Sequence, residues 1–308
     1  MTALSPAGTA NPPPSIGRAM AWISVALVSF SAMAVAGREV VPHLDTFSLM
    51  FYRSVFGLAV VLGFLLISGT GFFAIGTRRL PLHLIRNLFH FTGQNLWFYA
   101  VSLVPLAQVF ALELTTPIWV ALLAPLLLGE RFTAVRLGAI LLGFIGILIV
   151  IRPGYTTLGP GEFAAMACVI AFVGTVIATK KLTRTETTLT FVFWMTLLQT
   201  IMALVMLRGF PAIPEGPLVP WVVLVAVCGL SAHFSIAKAF RYADASIVSP
   251  MDFLRLPLIA VVGMIVYGEM LDIWVFIGGV VVFFGNYLTI RTARQPGVAN
   301  TQTNSENL

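Results

Sequence analysis

Ten long apolar runs, separated by short polar or Gly/Pro-rich breaks, fill the chain between residues 19 and 290. They fall at 19–36, 46–68, 83–103, 106–128, 134–151, 161–179, 188–208, 218–238, 245–267 and 271–290. Each is close to the ~20 residues that a helix needs to span hydrocarbon. The breaks hold Gly69-Thr70-Gly71, Pro105, Gly129, Pro153-Gly154, Gly159-Pro160-Gly161 and the stretch from Pro211 to Pro217, residues that punctuate helices. The pattern predicts an all-α integral membrane protein with ten transmembrane helices. Residues 1–18, rich in Ala, Pro, Ser and Thr, and the polar residues 292–308 read as disordered tails. The first run ends in the small residues Ala32 to Ala36, as a cleaved secretion signal would. Arg18 is the sole basic residue before it, and the run has a counterpart opening the second half, so it is expected to be retained.

The stretch from Phe110 to Glu130, most of it in the fourth run, returns as Val248 to Glu269. A shift of 139 positions superimposes Ala100 on Ala239, Glu113 on Asp252, Gly129-Glu130 on Gly268-Glu269 and Gly146 on Gly285. Apolar matches carry little weight in such a chain; the acids and the Gly-Glu pairs carry more. They predict a duplication, with repeats at 19–152 and 153–291. Basic residues set the orientation, because cytoplasmic loops collect Lys and Arg. With both termini cytoplasmic, the inner segments hold 13 of the 18 basic residues, and the outer segments hold Arg38, Arg152 and Arg208. Arg53 and Arg255 lie within spans. Five helices per repeat is an odd number, so the second repeat is inverted. Two inverted halves can exchange conformations around a site at mid-depth, which favours a carrier over a receptor or an anchor.

Composition agrees with a membrane chain: 58% of the 308 residues are hydrophobic and 10% charged, against roughly 25% charged in soluble domains. Mean hydropathy is +0.96 and the isoelectric point about 9.7. The basic residues sit between apolar runs and form no patch, so a cytoplasmic membrane face explains them and no nucleic-acid partner is expected. Cys168 and Cys228 each lie inside an apolar run and read as small core residues rather than a disulfide or zinc site. His83 and His90, seven apart, have no carboxylate or third ligand beside them, so no metal and no cofactor is expected.

A charge at the middle of a span costs about 2.5–3.5 kcal/mol on insertion scales. Arg53, Glu113, Asp252 and Arg255 all fall there. Asp252 and Arg255 are three apart on one helix face and are expected to pair, as is Glu113 with Arg53 across helices. The four are either structural ion pairs or cavity groups, and the equivalence of the two acids under the repeat favours the cavity. Asn87, His90, Gln94 and Trp97 form a polar stripe on one face of the third span, which must look inward rather than at lipid. Glu113 and Thr116 share a face in the same way. Pro117 and Pro257 free the carbonyls of Glu113 and Phe253, beside the acids, and with Pro250 predict kinks or breaks. Ala139, Gly143, Gly146, Gly278, Gly279 and Gly285 in the fifth and tenth spans read as close helix contacts.

The paired Gly-Glu ends are followed by Gly-rich helices, GAILLGFIG from Gly138 and GGVVVFFG from Gly278. Arg86-Asn87 opens the third span, and Ala237-Lys238-Ala239-Phe240 precedes Asp244-Ala245. In this order and layout the chain resembles the drug/metabolite transporter superfamily, with two EamA-type halves over about residues 19–291. The resemblance implies a central cavity between the halves and a secondary transporter that moves a small polar or zwitterionic metabolite across the inner membrane. Within the superfamily it is most similar to S-adenosylmethionine uptake carriers; riboflavin and amino-acid or metabolite exporters stay open. For an S-adenosylmethionine-like solute, Glu113 or Asp252 would take the cation, Arg53 or Arg255 the carboxylate, and Trp97 or Phe253 the ring. The remaining readings are a structural membrane subunit and an intramembrane enzyme, and the chain has no His-Glu-x-x-His, Gly-x-Ser-x-Gly or Walker-type run. The partners expected are a small-molecule substrate and the lipid bilayer, with a homodimer left open.

Overall fold

The computed structural model describes residues 15–69, 71–128, 134–153, 158–182, 185–243, 248 and 251–293. The tails up to residue 14 and beyond residue 293 lie outside these, as do Gly129, Glu130, Asp244, Ala245 and Pro250. Among the described residues the elements are helices: α1 (Ile16–Val40), α2 (Thr46–Ser68), α3 (Leu80–Leu103), α4 (Leu106–Glu113), α5 (Thr116–Leu128), α6 (Ala134–Ile151), α7 (Pro160–Leu182), α8 (Thr188–Leu207), α9 (Val219–Tyr242), α10 (Arg255–Tyr267) and α11 (Ile273–Ala293). Local chemistry sets several ends. Asp45 accepts the Ser48 amide at 2.9 Å ahead of α2, and Thr187 accepts the Thr190 amide at 3.1 Å ahead of α8, each satisfying an amide that the first turn leaves without a partner. Gly69 and Gly268 close α2 and α10 at φ of +65°, a left-handed conformation that costs glycine nothing.

Six helices among the described residues are long and apolar enough to cross a membrane: Ile16–Val40, Thr46–Ser68, Leu106–Leu123, Pro160–Leu182, Thr188–Leu207 and Gly216–Tyr242. Leu137–Ile151, Arg255–Tyr267 and Ile273–Leu288 are apolar but shorter. The chain is therefore an all-helical, multi-pass membrane protein. The differences from ten uniform runs have identifiable causes. Helix α3 has 24 residues, yet Arg86, Asn87, His90, Gln94 and Asn95 lower its hydropathy, and all five are buried. The fourth run breaks after Glu113 and the ninth after Asp252.

Helix α1 packs along α9, α3 along α7, α2 along α8, α6 along α11, and α4 against α10. The 139-residue shift carries α3 onto α9, each of 24 residues, and α5 onto α10, each of 13. It also carries one helix end onto another: Ala100 accepts the Val104 amide at 2.9 Å and Ala239 accepts the Ala243 amide at 3.0 Å. Exchanging the two halves turns the α1–α9 contact into α3–α7. Helices α6 and α11 cross at Gly146 and Gly278, where a Cβ on Gly146 would lie 2.9 Å from the Gly278 carbonyl oxygen. Only glycine permits that approach.

The loops gather at two ends. At one, the Ser15 amide donates to the Tyr242 carbonyl at 2.9 Å, Thr77 to Glu186 at 2.8 Å and the Trp194 indole to the Ile75 carbonyl at 3.0 Å. At the other, Arg38 pairs with Glu269 and donates to the Val104 carbonyl, the Leu106 amide donates to Glu269 at 3.0 Å, and Arg152 pairs with Asp272.

Candidate substrate site

Two helix breaks face each other in the middle of the bundle. Helix α4 ends at Glu113 and α5 starts at Thr116, with Leu114 and Thr115 in a tight turn. Pro117 has no amide to offer the Glu113 carbonyl, and the Thr116 hydroxyl donates to that carbonyl instead, at 2.6 Å. Asn286 of α11 donates to the Leu114 carbonyl at 2.9 Å, so two carbonyls freed by the break are satisfied inside the apolar interior. In the equivalent stretch, Phe253 and Leu254 form the turn between Asp252 and Arg255. Asp252 is the last helical residue there and Arg255 begins α10.

The acids at the two breaks share one cation. Arg255 lies 3.2 Å from Glu113 through Nη1 and 3.6 Å from Asp252 through Nη2. Its guanidinium stands 4.8 Å from the ring centre of Phe30 and 5.1 Å from that of Phe110, so it is buried between two aromatic faces. Glu113 also accepts the Trp97 indole at 2.9 Å. Two carboxylates and one guanidinium leave the cluster with a formal charge of minus one. Among the described residues, Asp252 Oδ1 is buried without a hydrogen-bond partner.

The stripe on α3 runs from this cluster into a second, basic one. Trp97 reaches Glu113, and one turn earlier Gln94 accepts from Arg53 Nη1 at 2.8 Å. His90 Nδ1 is 2.6 Å from Gln199 Nε2, which also lies 3.3 Å from Asn87 Oδ1. Arg86 donates to that same Asn87 oxygen at 3.0 Å and stacks 4.4 Å over Phe191. Arg53, Arg86, Gln199 and His233 line a cavity of about 730 Å³, which is otherwise mostly apolar and bounded by α2, α3, α8 and α9.

Each expected site residue has a place in this arrangement. Glu113, Asp252, Arg255, Trp97 and Thr116 meet at the breaks, and Arg53, Gln94 and His90 lie with the basic cluster. One expectation is corrected. Glu113 pairs with Arg255 and not with Arg53, because the second break brings α10 against α4 while Arg53 on α2 faces Gln94. Phe253 lies in the turn of the second break and packs edge-on against Phe283 with centroids 5.1 Å apart. Arg86, counted with the inner basic loops, is instead buried in α3. Gln199, His233 and Asn286 were missed, although each is a polar residue inside an apolar run and so carries the signal that marked Glu113. Phe30 and Phe110 carry no such signal in a chain with 24 Phe residues.

A multi-pass helical bundle with broken helices and polar groups at the breaks defines a membrane transport protein by class. The EamA-like transporter family model matches residues 17–152 and again 159–291. The chain belongs to the EamA-like transporter family. It is 24% identical over 261 residues to an S-adenosylmethionine uptake transporter of Rickettsia felis, covering 85% of this chain and 88% of the relative. It is 33% identical over 224 residues to a riboflavin transporter of Brucella anthropi, covering 70% and 78%. A solved crystal structure at 17% identity superposes with a TM-score of 0.62 over 91% of this chain and all of the other, a likeness of fold. The protein is a small-metabolite transporter.

Proposed function

We propose that the chain is a secondary carrier of the inner membrane, and not an enzyme, that moves a small polar or zwitterionic metabolite by alternating access. In this reading residues 19–152 and 153–291 are two inverted five-helix repeats making ten spans, with both termini cytoplasmic. The observation that carries it is the sharing of Arg255 by Glu113 and Asp252, equivalent acids at equivalent helix breaks. Broken helices at mid-depth are where carriers expose backbone and side-chain polar groups to a substrate. The end-for-end match of α3 with α9 and of α5 with α10 supports the repeats. The cavity reaches towards the end that holds Thr188 and Tyr242, while Arg38 and Glu269 tie the opposite end together. With the termini inside, that is an inward-open arrangement.

An S-adenosylmethionine-like solute is the favoured substrate. Its sulfonium would lie towards Glu113 and Asp252 beside Trp97, and its carboxylate towards Arg53. The test is uptake into proteoliposomes of labelled S-adenosylmethionine, riboflavin and amino acids, by the native chain and by Glu113→Gln and Asp252→Asn. Saturable uptake of one solute, lost in both folded variants, is the expected result. Unchanged uptake in both variants removes the acids from the mechanism, and transport of riboflavin or an amino acid alone replaces the substrate.

A further inference from the structure

The cavity between α2, α3, α8 and α9 contains two guanidinium groups and no carboxylate among its lining residues. Arg53 is 7% exposed and Arg86 5%. Among the described residues neither has an acid within ion-pair distance: Arg53 bonds the neutral Gln94, and Arg86 bonds the neutral Asn87 and Thr179. Among the described residues, Arg53 Nε is buried with no hydrogen-bond partner. The other three intramembrane charges are paired with one another around Arg255, so these two cations stand apart. Buried cations are ordinarily paired or ligated. The guanidinium of Arg53 is also held where it is by the absence of a side chain, since a Cβ on Gly229 would come within 2.8 Å of its Nε. Around the two cations the wall is apolar and aromatic, with Phe64, Phe191 and Phe234 among its members.

We propose that this cavity binds the anionic group of the transported solute, a carboxylate or phosphate, against Arg53 and Arg86. The assignment rests on the carrier reading and deepens it by naming the charge the substrate must carry at this end. A planar guanidinium offers a fork of donors that matches either oxyanion, and the aromatic wall receives the remainder of the molecule. Gln199 and His233 lie in the same wall and supply further polar contacts that fix orientation. A lipid phosphate has the same chemistry, but we assign the site to a water-borne solute because the cavity reaches the bundle end where α8 begins, at Thr188.

The experiment measures binding rather than transport, on the full chain in phosphatidylcholine nanodiscs. The probes are 3-phenylpropionate, phenyl phosphate, the neutral 3-phenylpropanamide and the cationic 3-phenylpropylammonium. Both anions should bind about tenfold or more tighter than the amide, the factor equivalent to roughly 1.4 kcal/mol for a charge-assisted contact. Arg53→Gln and Arg86→Gln should each bring that ratio near one, while exposed Arg208→Gln leaves it unchanged. The ratio in the native chain decides the matter even where a variant fails to fold. Equal binding of anion and amide, or tightest binding of the ammonium, overturns the proposal. So does loss of anion binding on adding phosphatidylglycerol to the nanodisc, which would give the site to a lipid. A chain that binds the anions but moves no metabolite upholds the site and defeats the carrier reading alone. One that transports yet does not distinguish anion from amide defeats the site alone.

Discussion

Replacing Arg255 by Gln removes the one cation held in common by Glu113 and Asp252. The two carboxylates then face each other, and Glu113 retains only the Trp97 indole at 2.9 Å. Removing one partner of a buried ion pair costs about 3–5 kcal/mol, because the other charge is left uncompensated. Contacts with Phe30 and Phe110 are lost as well, each worth roughly 0.5–2 kcal/mol. Against this, the Glu113 and Asp252 side chains are 17% and 28% exposed, so water or a proton relieves part of the repulsion. The expected loss is therefore at the lower end, about 3 kcal/mol. Glu113→Gln should cost less, about 1–2 kcal/mol, since Arg255 keeps Asp252. The neutral triple variant Glu113→Gln/Asp252→Asn/Arg255→Met should recover most of the native stability, as apolar replacements of buried ion networks do. Equilibrium unfolding by denaturant in mild detergent gives all three values, and uptake assays run alongside. The triple variant should be folded and inactive. A single Arg255→Gln variant as stable as the native chain would refute the argument, as would a triple variant no more stable than it.

Gly146→Ala and Gly278→Ala should each destabilise the chain by about 1–3 kcal/mol through overpacking, since the new Cβ on residue 278 would lie 2.7 Å from the Gly146 carbonyl oxygen; thermal unfolding of the two variants tests this, and no shift in either would mean that α6 and α11 do not cross there. Reporter fusions after Leu308 and within residues 209–217 should report opposite sides of the membrane, and the same side from both would defeat ten spans. Glu269→Gln should loosen the end tied by Arg38, shifting the conformational balance by roughly 1–2 kcal/mol, or about five- to thirtyfold. Maleimide labelling of Val104→Cys, in a chain lacking Cys168 and Cys228, should speed up by that factor, and an unchanged rate would show that the ion pair does not hold this end closed.

Much of the architecture is legible without coordinates, for a physical reason. A bilayer demands runs of apolar residues of nearly fixed length, so the runs announce the helices, and a charge inside a run is costly enough to mark itself. Glu113, Asp252, Arg53 and Arg255 stood out on that ground, as did the stripe from Asn87 to Trp97. The proposed duplication rests on the acids and the Gly-Glu pairs, which recur at one spacing. Pro117 likewise pointed to the break that frees the Glu113 carbonyl.

Which cation answers which acid depended on the tertiary structure. In sequence Arg255 is set against Asp252 and Arg53 against Glu113, yet Glu113 falls to Arg255 because α10 packs on α4 while α2 packs on α8 and α9. The same packing leaves Arg53 and Arg86 beside a cavity without an acid, though they are 33 positions apart in sequence. Phe30 was gained beside Arg255, because aromatic residues are too common here for pattern to tell a site from a packing contact. Periodicity and insertion cost act along one helix and can be read from it. Pairing across helices depends on which faces meet, and that is decided only when the helices pack.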